Sequence, residues 1–200
     1  GVLTHYDARA QWESRLEITA SAIEIGATSA INVDQRGCLG ANRVDNSASY
    51  GLVPGGGAGA TWRSGASHGG LGGRLEGVPN PVYGNITAPA ALGAGGSGGS
   101  YSYAGGDGGG WIQVWTDTLS LEGNISANGG AGTGYHAGGG AGGSIHIHAG
   151  TLSGGGKISA NGGGNEIGGG GGRIAVHYTA LSLDASHIMA LGAQGSSLGY

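Results

Sequence analysis

The chain has no phenylalanine, one lysine (Lys157), one cysteine (Cys38) and four prolines in 200 residues. Each shortage narrows the possibilities. A lone cysteine cannot form an internal disulfide, and Cys38 reads as a small buried hydrophobe, an intermolecular bridge being its other use. Only 10% of residues are charged and the net charge is -4, so the electrostatic footprint of a nucleic-acid partner is missing. No run of about 18 apolar residues occurs, so no membrane span is expected. No stretch shows a sustained 3.6-residue period, so helix is not expected either. Gly1 to His5 lack the charged start and apolar stretch of a signal peptide. That fits a mature secreted product or a piece of something longer.

What is abundant is glycine, 51 residues of 200. Such a fraction ordinarily signals low complexity or disorder. Here the apolar residues between the glycines are periodic. Ile125-Ser126-Ala127-Asn128-Gly129-Gly130 returns 33 residues later as Ile158-Ser159-Ala160-Asn161-Gly162-Gly163. Ile112, Val114 and Leu119 match Ile145, Ile147 and Leu152, and a third copy starts at Ile174 with Val176, Leu181 and Ile188. Self-similarity at such a period marks repeats that bury their apolar faces against one another.

Short alternating segments, among them 16–18, 23–25, 31–33, 111–115, 119–121, 145–148 and 173–178, read as strands. The aligned repeats span 111–142, 143–172 and 173–200, and 16–37 is a looser first version. Residues 38–110, which hold Pro54, Pro79, Pro81 and Pro89, form a long glycine-rich excursion. Structureless loops beyond about 12–15 residues are uncommon in compact domains, so it is expected to pack over the repeats as a covering layer. Tyr83 to Pro89 is expected to add a degenerate repeat there. Stacked parallel repeats explain position-by-position resemblance better than an antiparallel sandwich does. The expected fold is all-β: one domain over 1–200, a parallel β-solenoid (β-helix) with long ordered glycine-rich loops.

Stacking assigns roles to particular residues. Asn128 and Asn161 occupy the same turn, where asparagine tolerates unusual backbone and bonds neighbouring groups. They are expected to form a structural ladder of side-chain amide bonds that ends at Leu191-Gly192. Two outward columns follow, Gln113-His146-Ala175 and Trp115-His148-His177. The second is a candidate interface, which protonation near pH 6 would weaken. With no carboxylate or cysteine beside the two imidazoles, no metal is assigned. Asn85 and Asn124 fit the N-glycosylation pattern. Trp12, Trp62, Tyr50, Tyr83, Tyr101, Tyr103 and Tyr135 lie in or beside glycine-rich segments, where they either bind carbohydrate or a protein, or seal the backbone from water.

Catalytic chemistry finds no footing. Gly154 to Ile158 lacks the spacing and hydroxyl of a phosphate loop, and Gly105 to Gly110 does not reproduce a calcium nonapeptide. Asp117, Glu122, Glu166 and Asp184 are the acids inside the repeats, and they are scattered. No catalytic residue and no cofactor is assigned.

The succession Val2 to His5, Gln35 to Gly40, Tyr83 to Gly93, Ile125 to Gly130, Thr151 to Gly154 and Gly169 to Val176 resembles the glycine-rich repeat domain of large bacterial surface and secreted proteins. Cys38 stands where similar sequences more often carry an aromatic residue. The resemblance implies an extracellular or cell-surface location and a structural or adhesive role, with no catalytic residues to carry over. The expected function is a structural subunit of an extracellular filament, sheath or stalk, a homo-polymer built by contacts between identical protomers. The alternative is a carbohydrate-binding adhesin module, with glycans as partners.

Overall fold

Strict alternation makes strands of the apolar bursts, and the spacing between bursts bends them. Ile112 and Val114 lie on one face, but Leu119 and Leu121 sit at odd separations from them. A straight strand would put the two pairs on opposite faces. In the computed structural model, which describes residues 1–8 and 13–195, all four are buried in one core. The strand turns a corner between them, at Asp117, which has no partner in the ladder although Thr116 and Thr118 on either side do.

Among the described residues, nine strands form two sheets. Strands β2 (Leu16–Ile25), β4 (Trp111–Leu121), β6 (Ser144–Ser153) and β8 (Arg173–Leu181) make a four-stranded sheet in that order. Strands β1 (Val2–Leu3), β3 (Ala30–Asn32), β5 (Asn124–Ser126), β7 (Lys157–Ser159) and β9 (Ile188–Met189) make a five-stranded one. Every neighbouring pair is parallel, and equivalent repeat positions pair directly. Ile112 faces Ile145, which faces Ile174, and Ile125 faces Ile158. Each repeat therefore sends one long bent strand to the first sheet and one short strand to the second.

The expected solenoid is corrected by this arrangement. The two parallel sheets are open, with five and four strands, and they do not close into a β-helix. The physical reason lies in the glycine-rich stretches. They carry no alternating side chains to define a sheet face, and their backbone bonds run in several directions instead of two.

Residues 137–143 show how those bonds run. All seven are buried. The N–H groups of Gly138 and Ala141 donate to the carbonyls of Ser97 and Ala94, at 3.0 and 2.9 Å. Those of Gly139 and Gly142 donate to Ile167 and Gly170, at 2.8 and 3.0 Å. Those of Gly140 and Gly143 donate to Gly130 and Ala127, at 2.9 and 2.7 Å. The carbonyls of Gly138 and Ala141 accept from Gly106 and Gly109, that of Gly139 from Ala66, and that of Gly140 from Gly163. Bond direction repeats every third residue, as in an extended three-residue-per-turn helix of the polyproline II kind. Such a helix has no internal bonds, so all of its polar backbone must be satisfied by neighbours. Here the neighbours are stretches of the same composition, packed on all sides.

That spacing requires bare backbone. A Cβ on Gly140 would run into the Asp107 carbonyl, and one on Gly139 into that of Gly163. The excursion 38–110 is consequently more than a covering layer. It supplies stretches of this array, through Gly40, Gly51, Gly65, Gly95 and Gly106 among others. Tyr83 to Pro89 contains no strand. It crosses the outside of the four-stranded sheet, where Arg173 Nε donates to the Tyr83 carbonyl at 2.7 Å.

Candidate functional site

The outer face of the four-stranded sheet carries the chemistry. Because the strands pair in register, Thr19, Trp115, His148 and His177 form one column across it. Parallel strands bring such side chains about 4.8 Å apart, close enough for flat rings to stack. The Trp115 and His148 rings lie 3.7 Å apart and 2° from parallel, and His148 and His177 lie 4.4 Å apart at 12°. The column opens onto a groove of about 610 Å³ that Asp117 and Tyr178 also line, just outside the corner in the strands.

His146 belongs to this group as well. Two residues before His148, it points to the same face, and its neighbour in β8 is the small Ala175. Its Nε2 sits 2.8 Å from His148 Nε2, and its ring centroid is 5.4 Å from that of His177. The sequence placed His146 in a separate column. The i, i+2 spacing and the adjacent alanine were the signal that it could lean across. The crossing segment fixes both sides of the cluster: the Thr87 carbonyl lies 2.8 Å from His177 Nε2, and Ser144 Oγ donates to the Ala91 carbonyl at 2.6 Å. His146 is buried, His148 half-buried and His177 exposed.

Burial pushes the His146 imidazole below its ordinary pKa, and the neighbouring imidazoles of His148 and His177 push it further. His148 is lowered for the same reasons, burial first and then His177. Both rings hold their protons less readily than a free imidazole, so any loss of contact by protonation is displaced below pH 6.5.

Asn128 and Asn161 lie in a line of side-chain to backbone bonds. Asp34 Oδ1 accepts from Asn128 N–H at 2.6 Å, Asn128 Oδ1 from Asn161 N–H at 2.8 Å, and Asn161 Oδ1 from Leu191 N–H at 2.8 Å. The line starts one repeat earlier than the sequence pattern did, at an aspartate, because a carboxylate oxygen accepts as well as an amide oxygen does. It runs from side chain to backbone instead of amide to amide.

Asn85 is exposed, and its Oδ1 accepts from Thr87 N–H and Ala88 N–H in a tight turn. Asn124 is exposed within β5. Cys38 is free and buried beside Leu52 and Leu92, and burial raises its thiol pKa, which keeps it in the unreactive thiol form. Tyr83 stacks on His68 at 4.7 Å, and its hydroxyl donates to the Leu92 carbonyl at 2.6 Å, so it seals backbone. Tyr101, Tyr135 and Trp62 are exposed. Trp12 lies outside the described residues.

Sequence reasoning passed over the exposed aromatics' surroundings. Asn42, Arg63, Tyr101, Ser102 and His136 all have positive φ. They gather at one end of the glycine array, where Arg63 Nη2 donates to Ser100 Oγ, Ser100 N–H to the Tyr135 carbonyl, and Asn42 Nδ2 to the Tyr103 carbonyl. Non-glycine residues in this backbone region store strain, which the surrounding bonds must hold.

Among the described residues, no helix is long and apolar enough to cross a membrane. Compared with family models, with curated proteins and with solved structures, the chain matches none.

Proposed function

We propose that the chain is a stiff structural module of an extracellular filament, sheath or stalk, extended by copies of itself stacking along the repeat direction. One observation carries this: among the described residues, the apolar core is less buried at both ends than in its middle. Ile112, Val114, Leu119, Ile145, Ile147 and Leu152 in the middle repeats are fully buried. Leu16, Ile18 and Ile23 at one end, and Ile174, Val176, Leu181 and Ile188 at the other, are only partly so. Repeats of this kind stabilise one another through neighbour interfaces and need either caps or further layers. Strands β2 and β8 are edges of the four-stranded sheet, and a parallel edge is a template for another strand. The two ends carry the same apolar alternation in the same register, so β8 of one copy fits β2 of the next. Such a head-to-tail contact does not close, and it builds a fibre.

The contact has a steric condition. Strand β1 occupies the edge of β3, the place that β9 of the next copy would take. It holds only two residues, both exposed, so it is the part that yields. A form lacking residues 1–4 assembles more readily than the full chain.

Electron microscopy and sedimentation test the reading together. Four strands at about 4.8 Å give filaments with an axial repeat of about 19 Å. Ala22 and Ala180 are exposed, share a register position, and would meet across the contact. Lysine at both positions dissolves the filaments, and Ala22→Glu with Ala180→Lys restores them. A chain that stays monomeric at every concentration, with or without residues 1–4, overturns the proposal.

A carbohydrate-binding adhesin is the second reading, favoured by the exposed Tyr101, Trp62 and Tyr135 at one end of the array, the first on strained backbone and the other two next to the strained Arg63 and His136. Aromatic faces held rigid suit sugar rings. It predicts glycan binding by the monomer that Tyr101→Ala and Trp62→Ala abolish.

A further inference from the structure

His146, His148 and His177 each offer a ring nitrogen, and these atoms all lie within 4.8 Å of one another. We propose that they form a three-imidazole site for a divalent transition-metal ion, with a fourth position open to the groove beside Trp115.

Four features of the geometry point there. A tetrahedral ion with metal–nitrogen distances of about 2.05 Å needs ligand nitrogens about 3.3 Å apart. His146 and His148 already approach more closely than that, Nε2 to Nε2 at 2.8 Å. Two imidazole nitrogens in that position share one proton between two lone pairs. A metal ion takes the proton's place between them, and the proton moves to Nδ1 of its own ring. His177 is oriented from outside the cluster. A carbonyl only accepts, so the 2.8 Å contact with Thr87 O requires His177 to carry its proton on Nε2. That leaves Nδ1 with a free lone pair, and a backbone carbonyl holding the distal N–H is the usual support of a metal-bound histidine.

The surroundings suit a cation. Among the described residues that line the groove there is no lysine or arginine, and the Asp117 carboxylate is present. Trp115 stacked on His148 restricts ring rotation, which lowers the entropy cost of holding the ligands together. Three neutral imidazoles with no protein oxygen in the set select zinc, copper or nickel over magnesium or calcium. The open side makes the site able to take a small anion, a water or a side chain from another molecule as fourth ligand.

The site lies within one chain and does not depend on assembly, so the monomer serves for the test. Titration calorimetry with zinc chloride is expected to give one ion per chain, with no heat from calcium chloride. His148→Ala lowers zinc affinity at least about 100-fold. His136→Ala and His187→Ala leave it unchanged. His177→Gln keeps the side-chain bulk, and Tm measured without metal shows that each variant is folded. A second readout is optical: copper(II) at the site quenches Trp115 fluorescence, and the quenched component disappears in Trp115→Phe while copper affinity persists. Absence of saturable one-to-one binding by the native chain overturns the proposal. So does zinc affinity that survives His148→Ala combined with His177→Gln.

Discussion

The two halves of this molecule are held by opposite means. On one side, long and short strands bury isoleucine, valine and leucine in a core where Ile112, Ile125, Ile145 and Ile158 have no exposed surface. On the other, the 137–143 stretch and its neighbours bury almost nothing but backbone, and successive amides are satisfied by three different stretches in rotation. In the first half side-chain area removed from water dominates, at about 25 cal/mol per Å². In the second, hydrogen bonds of about 1 kcal/mol net each must offset the ordering of glycine, which loses more freedom than any other residue. Glycine is tolerable there because only glycine lets backbones approach this closely.

The largest expected effect comes from breaking the array at its centre. Gly140→Ala sets a methyl against the Asp107 carbonyl, which is backbone and cannot swing aside. Overpacking of about 3 kcal/mol together with two weakened hydrogen bonds puts the loss near 5 kcal/mol. Gly164→Ala, whose added Cβ would meet only Ala193 Cβ at 3.8 Å, stays within about 0.5 kcal/mol. Urea unfolding of the pair measures the contrast directly, and equal stabilities would remove the close-packing account of the array.

Next comes the core. Ile145→Ala deletes fully buried methyl groups and costs about 3 kcal/mol. If the halves fold as one unit, this variant and Gly140→Ala lower a single unfolding transition; two separate transitions would show that they fold independently.

Acid sharpens the comparison at the seam. His68 is fully buried, and its Nδ1–H donates to the Gly142 carbonyl at 2.8 Å, replacing a backbone donor in the array. Burial, the dominant cause, lowers its pKa from 6.5 to about 4, with the Arg173 charge adding to it and the bonds to the backbone opposing. Between these values the unfolded chain binds a proton that the folded chain does not. The contribution is therefore complete above pH 6.5 and lost as pH falls towards 4, about 3 kcal/mol at most. His146 and His148, lowered as well, act in the same direction. Urea midpoints at pH 7.0, 5.5 and 4.5 report the loss, and His68→Gln flattens it.

The smallest effect concerns the line of side-chain bonds joining the halves. Asn161→Ala removes the acceptor of the Leu191 N–H, for about 1 kcal/mol. Hydrogen exchange at Leu191 should rise while that at Ile145 stays slow.

Much of the strand half was legible in the sequence because its signal is one-dimensional. The 33-residue return of Ile125 as Ile158 predicts that the two stack, and they pair directly. The odd spacing from Ile112 to Leu119 contained the corner in the strand, since two core pairs out of phase cannot share a straight one. The closed solenoid was the error. Glycine stretches carry no pattern to say whether they continue a sheet or leave it, so their open, many-sided bonding was not visible. The site was legible in part for the same reason. Register aligned Trp115, His148 and His177, but His146 was assigned to the next column because alternation says which face a side chain takes and not how far it leans.

By itself the sequence determined which residues repeat, which face of each strand is apolar and that the repeats add in parallel. These follow from local spacing, which any chain with this pattern must obey. Only the tertiary structure decided that residues 38–110 thread into the glycine array, and that Thr87 and Ala91 pin the outer face of the sheet. It alone brought three imidazoles to one point. Contacts between residues 53 and 90 positions apart depend on how the chain returns through space, and a featureless glycine stretch leaves no record of its path.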